Sequence, residues 1–318
     1  MSRPKIEISE VGPRDGLQNV DAVMATPAKR RWIAALSGAG LGEIEVCSFV
    51  PPKLVPGMAD AAEVTRFART LPELTVAVLA PNLRGAEAAL EAGAQKITVP
   101  LSVSRSHNLA NVRRTPEESL AEVREICGAR DRYPKAERAV VEGGLSTVFG
   151  CSIEGRISLS DVLRLSVALV EAGVDEVGLA DTTGMGNPAQ VRATFRAVAA
   201  EIGWDRLAGA HFHNTRGQGL ANVVAALEVG VTTFDASQGG LGGCPFAPGA
   251  TGNIVTEDLV WMLEESGCDT GVDLAALIAA REILSQALPE EPLHGYVPSV
   301  GLAMGGGTPR IADTRAAG

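Results

Sequence analysis

One short pattern recurs four times along the 318-residue chain and constrains the fold more than any other feature. In each copy, an Ala/Leu-rich helical stretch ends in Ala or Val and a glycine, and an apolar run rich in β-branched residues follows. The copies lie at 39–44, 92–97, 172–177 and 229–234. Glycine just past a helix can take the left-handed conformation that closes its last turn. The pattern therefore predicts the helix-to-strand joint of a repeating strand–helix unit.

Eight strand-like runs, separated by helical stretches, can be placed between these joints. The predicted strands are Ile6–Val11, Glu43–Cys47, Leu74–Leu79, Lys96–Pro100, Ala139–Val148, Glu176–Ala180, Leu207–His213 and Thr232–Ser237. Strict alternation implies parallel strands, and eight repeats favour an α/β fold, the closed (β/α)8 TIM barrel. Additional C-terminal helices are expected near Glu257–Ser266 and Leu274–Leu288. An open doubly wound sheet is the alternative, but no G-x-G-x-x-G follows the first strand.

The domain organisation is expected to be simple. Length alone would allow two domains, but α/β barrels commonly run to about 250 residues as one. We see no linker that would separate two full domains. We therefore predict a catalytic barrel with its C-terminal helices over residues 1–290 and a C-terminal extension over 291–318. The tail from Gly305 is rich in Gly and Ala and is expected to be mobile.

Composition excludes several kinds of partner. The net charge is −10 and the pI is near 5.0, which argues against nucleic acid, because polyanions need a basic face. An anionic substrate needs only a local positive patch. The five cysteines include no C-x-x-C pair, a pattern typical of reduced thiols in the cytoplasm. We see no signal peptide, which would indicate secretion, and no apolar run long enough to cross a membrane. The oligomeric state is open, and a homo-oligomer is compatible with the sequence.

Polar side chains cluster where the predicted strands end, which is where such barrels carry their catalytic groups. Asp15 follows the first strand, and His211 and His213 stand near the end of the seventh. The two histidines are two residues apart on a strand, so both imidazoles point to one face. With Asp15 and an amide oxygen they form a nitrogen and oxygen set that suits Mg²⁺ or Mn²⁺ better than structural zinc. Two core histidines bonded to backbone are the alternative.

Three further charged residues stand near these strand ends. Arg14 beside a metal can stabilise a developing oxyanion or enolate, or it can simply brace a loop by a salt bridge. Asp181 and Glu45 end strands six and two, and either could orient a ligand or act as a base. For Asp181 the alternative is turn capping, because Thr-Thr-Gly follows it. For Glu45 that alternative is weaker, since a carboxylate within an apolar strand needs a partner.

A glycine-rich loop, Gly239–Gly252, follows the eighth strand. It could be a phosphate cradle, but Gly-Lys-Ser/Thr is missing and no helix starts directly after it. Glycines flanking Cys244 and Pro245 favour a mobile lid that carries an exposed, reactive thiol. A buried and inert cysteine is the alternative, and is what we expect of Cys127 and Cys268.

These residues together resemble the 3-hydroxy-3-methylglutaryl-CoA lyase family, within a wider group of metal-dependent barrels that includes isopropylmalate and homocitrate synthases. The likeness runs from about Ile6 to about Leu288. Its sharpest parts lie at 13–19, 45–50, 180–182, 211–213, 240–246 and 252–253. The cysteine-bearing glycine loop resembles the lyases and not the synthases, whereas the Arg-Asp-Gly and His-x-His elements fit either.

The resemblance implies a metal site and a catalytic set. By resemblance, the divalent metal, Mg²⁺ or Mn²⁺, is held by Asp15, His211, His213 and Asn253. The catalytic candidates are Arg14, which would steady an enolate, Cys244, which would handle a proton, and Asp181, Glu45 and His211.

The resemblance also implies an acyl-CoA thioester as the substrate. Its expected binding residues are Arg14, Asn111 and Ser48. The implied reaction is a metal-dependent retro-Claisen cleavage of 3-hydroxy-3-methylglutaryl-CoA, or a close 3-hydroxy-acyl-CoA, to acetyl-CoA and acetoacetate or the matching keto acid. Citramalyl-CoA or a longer 3-substituted glutaryl-CoA are alternative substrates. A Claisen condensing enzyme and a non-catalytic metal-binding scaffold are alternative functions.

Some positions depart from the family pattern. Asn214 and Arg216 stand where the family often has Asp and Tyr after the second histidine. Ser152 and Ile153 interrupt a Gly-Cys-Pro-aromatic-Glu-Gly element. None of these is a predicted metal ligand, so the departures bear on the acyl group rather than on the metal.

Overall fold

The computed structural model describes residues 3–242 and 252–301, and its eight strands close into a barrel in sequence order. All neighbouring strands are parallel. The strands are β1 (Glu7–Glu10), β2 (Glu43–Ser48), β3 (Thr75–Leu79), β4 (Lys96–Ser102), β5 (Val140–Ser146), β6 (Glu176–Asp181), β7 (Leu207–Phe212) and β8 (Thr233–Ala236). The predicted (β/α)8 barrel is confirmed, and the open sheet is excluded.

Helices surround the barrel in the part of the chain that the structure describes. They are α1 (Thr26–Gly38), α2 (Ala61–Ala68), α3 (Leu83–Ala92), α4 (Arg105–Val112), α5 (Pro116–Arg130), α6 (Leu159–Glu171), α7 (Pro188–Ile202), α8 (Gly219–Leu227), α9 (Thr256–Glu265), α10 (Leu274–Ala287) and α11 (Tyr296–Val300). The two predicted C-terminal helices correspond to α9 and α10. Within residues 3–242 and 252–301, no helix combines the length and apolar character needed to cross a bilayer.

The four helix-to-strand joints form as the sequence predicts. Their glycines, Gly40, Gly93, Gly173 and Gly230, have φ values of +96°, +89°, +102° and +107°. A side chain is strained in this left-handed region, so glycine suits each joint. The next apolar residue then enters the following strand directly.

The apolar core lies between the barrel and the helices. Trp32, Phe195, Phe212 and Phe234 are among its largest fully buried side chains. Inside the barrel, polar residues dominate instead. Lys96, near the amino-terminal ends of the strands, pairs with three carboxylates there, those of Glu43, Glu142 and Glu176.

The chain beyond α10 stays attached to the barrel over its described part. Asp258 on α9 accepts hydrogen bonds from the backbone of Tyr296 and Val297, at 2.9 and 2.8 Å. These bonds satisfy the first amides of α11. The proposed boundary at residue 290 stays a prediction, and the tail from Gly305 lies outside the described residues.

Candidate active site

The turn after β1 places two charged side chains at the mouth of the barrel. Residues Gly12–Gly16 form a single π-helical turn, in which Val11 O accepts from Gly16 N at 3.4 Å and also from Asp15 N at 2.7 Å. Pro13 at the start of the turn lacks an amide that would need a partner. Arg14 and Asp15 consequently lie side by side, with Arg14 Nη1 donating to Asp15 Oδ1 at 2.6 Å.

Asp15, His211 and His213 form a cluster with the spacing of a metal site. One potential ligand atom from each lies within 4.8 Å of the others. His213 Nε2 is 3.9 Å from Asp15 Oδ2, and the two imidazole centroids are 5.0 Å apart. A carboxylate with two imidazoles fits a divalent cation that keeps open coordination positions. The structure therefore contains a possible metal site, as the sequence predicted.

Asn253 joins this cluster from the segment that follows the glycine-rich loop. It forms an isolated bridge with His213, and its Nδ2 donates to Asp15 Oδ2 at 2.7 Å and to Leu241 O at 3.1 Å. An amide that holds a cation would present its oxygen, and rotation about the terminal bond exchanges the two atoms. Asn253 is therefore placed where a fourth ligand would be needed.

The start of the glycine-rich loop packs tightly on this cluster. Gly242 has φ +99°, and a Cβ atom there would lie 2.8 Å from Asn253 Nδ2 and 3.1 Å from Asp15 Oδ2. A side chain at position 242 would therefore collide with the proposed ligands. Glycine at this position allows the backbone to cover the site.

Arg14 bridges the metal cluster and a buried carboxylate on β2. Its Nε donates to Glu45 Oε2 at 2.5 Å, while Nη1 holds Asp15. Only 12% of the Arg14 side chain is exposed. Burial raises the pKa of Glu45 to about 7, against the opposing effect of Arg14. Glu45 Oε1 is buried and has no hydrogen-bond partner among the described residues.

The two imidazoles differ in their electrostatics. Burial and the neighbouring His211 lower the pKa of His213 to about 4, which keeps it neutral and available as a ligand. For His211, burial acts in the same direction, but Asp235 outweighs it and raises the pKa. Burial opposes ionisation of Asp15 too, yet Arg14 and the imidazoles lower its pKa. Asp15 is therefore an anionic donor, which hard cations prefer.

A cavity of about 430 Å³ opens beside this cluster and continues down into the barrel. Asp15, His211 and His213 line its polar side. An apolar wall lies over β2, β3 and β4 and is formed by Val50, Leu54, Val55, Leu79, Pro81, Pro100 and Val112. Arg113 and Arg114 directly follow α4 and line the cavity next to Val112 of this wall. The cavity can thus take a molecule with an anionic head, an apolar arm and further negative charge.

Comparison with known proteins agrees with this geometry. A family model described as HMGL-like matches residues 5–284. The chain belongs to the HMGL-like family. The hydroxymethylglutaryl-CoA lyase YngG of Bacillus subtilis is 44% identical over 299 residues, which cover 93% of this chain and 98% of that protein.

Two further HMGL-like relatives are informative. A Pseudomonas aeruginosa protein named 3-hydroxy-3-isohexenylglutaryl-CoA/hydroxymethylglutaryl-CoA lyase is 42% identical, over 89% of this chain and 93% of that one. The structure of an HMG-CoA lyase from Acinetobacter baumannii in complex with coenzyme A and 3-methylmalate is 44% identical. It superposes with a TM-score of 0.85, covering 91% of this chain and 93% of the other.

The structure places the remaining predicted residues of this HMGL-like chain at different distances from the cavity. Asn111 lies on α4 and lines it. Ser48 is fully buried and donates to Gln18 Oε1 at 2.9 Å; Gln18 lines the cavity and Ser48 does not, so the binding role of Ser48 stays a prediction. Cys244 lies outside the described residues, and its role stays a prediction.

Asp181 is buried with both oxygens engaged by its own loop. Oδ1 accepts from Met185 N at 2.9 Å and Oδ2 from Gly186 N at 3.0 Å. Burial raises the pKa of Asp181 to about 6, although these amides oppose the shift. Its neighbours Ala180 and Thr182 line the cavity. The contacts support the turn-bracing alternative, and a catalytic role for Asp181 stays a prediction.

The departures from the family pattern lie away from the described cavity lining. Arg216 Nη1 donates to Thr183 O and Gly184 O, both at 3.0 Å, and so ties the loop after β7 to the loop after β6. Ser152 and Ile153 are exposed. In this structure, Arg216 is engaged with backbone carbonyls rather than directed at a substrate carboxylate.

Sequence reasoning missed Asp235, whose Oδ2 lies 3.0 Å from His211 Nδ1. The signal was present, because Asp235 is an acid within a strand of apolar and small residues. The same reasoning that singled out Glu45 would have required a partner for it. The identity of that partner depends on the register between β7 and β8, which the sequence alone does not give.

Proposed function

We propose that this chain is a metal-dependent carbon–carbon lyase that cleaves 3-hydroxy-3-methylglutaryl-CoA to acetyl-CoA and acetoacetate. The observation that carries the proposal is the joining of Arg14 to a carboxylate and two imidazoles at the barrel mouth. Relatives named hydroxymethylglutaryl-CoA lyase, at 42–44% identity over most of the chain, support the same reaction.

The proposed metal ligands are Asp15, His211, His213 and Asn253. Their hard oxygen and imidazole donors favour Mg²⁺ or Mn²⁺. A divalent cation bound there would act as a Lewis acid toward the carboxylate and hydroxyl oxygens of the substrate.

Arg14 has a defined part in this reaction. Cleavage of the C2–C3 bond leaves negative charge on the thioester oxygen of an enolate. The Arg14 guanidinium lines the cavity and is fixed by Glu45 and Asp15, so it can meet that charge without moving. Preorganised charge of this kind stabilises a transition state more than a ground state.

Two proton transfers are needed, one from the hydroxyl group and one to the enolate carbon. Glu45 is a candidate acceptor, since its pKa is near 7 and one of its oxygens has no partner in the described part of the chain. His211 and Asp181 are the other proposed acid–base groups. Cys244 is the proposed donor to carbon, since an unperturbed thiol pKa of about 8.5 lies near neutrality.

The cavity supports an acyl-CoA substrate. Its polar corner suits the short acid portion, and its apolar wall suits the arm that carries the thioester. Arg113 and Arg114 lie where the phosphates of coenzyme A could be attracted. The Acinetobacter relative, whose structure is a complex with coenzyme A, supports the same class of substrate. We also infer a cytoplasmic location, which the unpaired cysteines Cys47, Cys127, Cys151 and Cys268 support.

A panel of CoA thioesters tests the function. Purified protein with Mg²⁺ or Mn²⁺ would be incubated with 3-hydroxy-3-methylglutaryl-CoA, citramalyl-CoA and longer 3-substituted glutaryl-CoAs, and products identified by mass spectrometry. We expect acetyl-CoA and acetoacetate, with the highest kcat/KM for the methylglutaryl compound. Failure to cleave any thioester, combined with condensation of acetyl-CoA and a 2-keto acid, would instead identify a synthase.

A further inference from the structure

The two histidines of the metal cluster have different surroundings on their far sides. His211 Nδ1 lies 3.0 Å from Asp235 Oδ2, whereas His213 Nδ1 is buried with no hydrogen-bond partner among the described residues. An imidazole has two nitrogens, and the partner of one decides whether the other has a free lone pair. The difference therefore concerns how each ring is prepared to bind a cation.

The register of the barrel creates the contact between His211 and Asp235. The two residues are paired across β7 and β8, and both line the cavity inside the barrel. Their neighbours Phe212 and Phe234 are fully buried in the outer core, as alternation along a strand requires. A slip of one residue would turn either side chain to the opposite face of the sheet.

We propose that Asp235 is a positioning residue that fixes the His211 tautomer, placing the proton on Nδ1 and leaving the Nε2 lone pair for the divalent cation. The inference rests on the proposed metal-dependent function. A carboxylate oxygen only accepts, so the bond at 3.0 Å requires the proton on Nδ1. Carboxylate partners of this kind orient metal-binding histidines and increase their basicity.

Asp235 is suited to this role by its position. Its side chain is 30% exposed, towards the cavity that His211 also lines. The Asp235 carboxylate therefore remains partly hydrated, and its charge does not require a second, buried counter-charge. His213 Nδ1 has no such partner in the described residues, so no carboxylate fixes its tautomer from that side.

Two variants test the proposal. Asp235→Asn keeps the shape but can donate to Nδ1, which would favour the opposite tautomer, as the equivalent change does in serine proteases. Asp235→Ala removes the acceptor altogether. Calorimetric titration of chelator-treated protein with Mn²⁺ should show about 10–100-fold weaker binding for both. The exposed Asp21→Asn variant makes the same chemical change elsewhere and should bind Mn²⁺ as wild type does.

Imidazole ¹⁵N spectra give a second readout that loss of folding cannot imitate. The chain has four histidines, so their signals can be assigned by substitution. At one fixed pH, the wild-type His211 signals should be those of the Nδ1–H tautomer. This preference should be lost in Asp235→Ala and reversed in Asp235→Asn, while the His213 signals stay as in wild type. Thermal unfolding by circular dichroism would verify that each variant is folded.

The outcomes separate the two hypotheses. If folded Asp235 variants bind Mn²⁺ with wild-type affinity and keep the wild-type His211 tautomer, the role of Asp235 is wrong. If the wild-type protein itself binds no divalent cation, the metal-dependent function is wrong. Weaker binding together with a changed tautomer at His211 alone would support both.

Discussion

The two ends of the barrel interior bury carboxylates beside different partners. At the amino-terminal end, Lys96 Nζ lies 2.8, 2.9 and 3.4 Å from Glu176, Glu142 and Glu43. At the carboxyl-terminal end, Asp15 faces two imidazoles, one of which is neutral, and shares Arg14 with Glu45. A buried charge needs a nearby counter-charge. At the amino-terminal end, the lower end, the chain supplies a lysine. At the carboxyl-terminal end, the upper end, it presents donor atoms that converge on one point.

These partners distinguish a structural cluster from a proposed cation site. The lower cluster, Lys96 with its three glutamates, already contains its cation, and it lies at the barrel end where stability rather than chemistry is expected. The upper cluster, Asp15, His211, His213 and Asn253, has the donors of a cation site. The same cavity reaches both, so their different roles come from their side chains and not from access to solvent.

The largest expected effect is the loss of all turnover when divalent cations are removed. Chelation should abolish formation of acetyl-CoA, and Mg²⁺ or Mn²⁺ should restore it, because the upper cluster has no lysine of its own among the described residues. Circular dichroism should show that the barrel stays folded, since Lys96 still pairs with the carboxylates of the lower cluster. A fully active preparation that elemental analysis finds free of metal would show that the upper cluster does not need a cation for activity.

Next in size is the effect of Lys96→Met on stability. Removing the lysine leaves three carboxylates without their cation, and breaking a buried ion pair in this way costs about 3–5 kcal/mol. Urea unfolding would measure the loss of free energy, and calorimetry should find Mn²⁺ binding unchanged. Arg105→Ala is the control, because its pair with Glu117 is exposed and should contribute little. If Lys96→Met lost no more free energy of unfolding than Arg105→Ala, the ion pairs of the lower cluster would contribute little to stability.

Much of this architecture could be predicted because it depends on local rules. All eight strands lie within two residues of their predicted limits, since glycine at each joint and apolar runs mark them directly. Asp15, His211 and His213 come together because the ends of parallel strands meet at one edge of the barrel. What the sequence could not give depends on register and loop contacts. The pairing of His211 with Asp235 and the engagement of Arg216 by Thr183 and Gly184 are of this kind.

A smaller effect, confined to catalysis, is expected for Arg14→Gln. This arginine is the only guanidinium that contacts the upper cluster among the described residues, and we assign it to charge that develops during cleavage. Its loss should lower kcat by about 10²–10³ and change KM little, as removal of one oxyanion donor does. Steady-state kinetics at saturating metal would measure both constants. A change in KM alone would make Arg14 a binding residue.

The last effect depends on pH and concerns a third way of burying a carboxylate, which is to protonate it. Glu10 is fully buried. Gly12 N and Gln238 N donate to its Oε1, and Thr256 Oγ1 donates to Oε2. Burial raises the pKa of Glu10 from its ordinary value of 4.5 to about 8. Between these two values the folded protein holds a proton that the unfolded chain releases, so stability should fall as pH rises.

Glu10→Gln should remove this dependence, because an amide resembles the protonated acid and cannot ionise. Its Oε1 can keep both backbone bonds, and the Thr256 hydroxyl can rotate to accept from Nε2. Relative to wild type, the variant should gain up to about 1.4 kcal/mol of stability per pH unit between about pH 4.5 and 8, and no more above that range. Urea unfolding at pH 5, 6, 7 and 8 would measure the difference, with the exposed Glu265→Gln as the control. A constant difference between Glu10→Gln and wild type would mean that Glu10 is ionised throughout, held by its three donors without a proton or a cation.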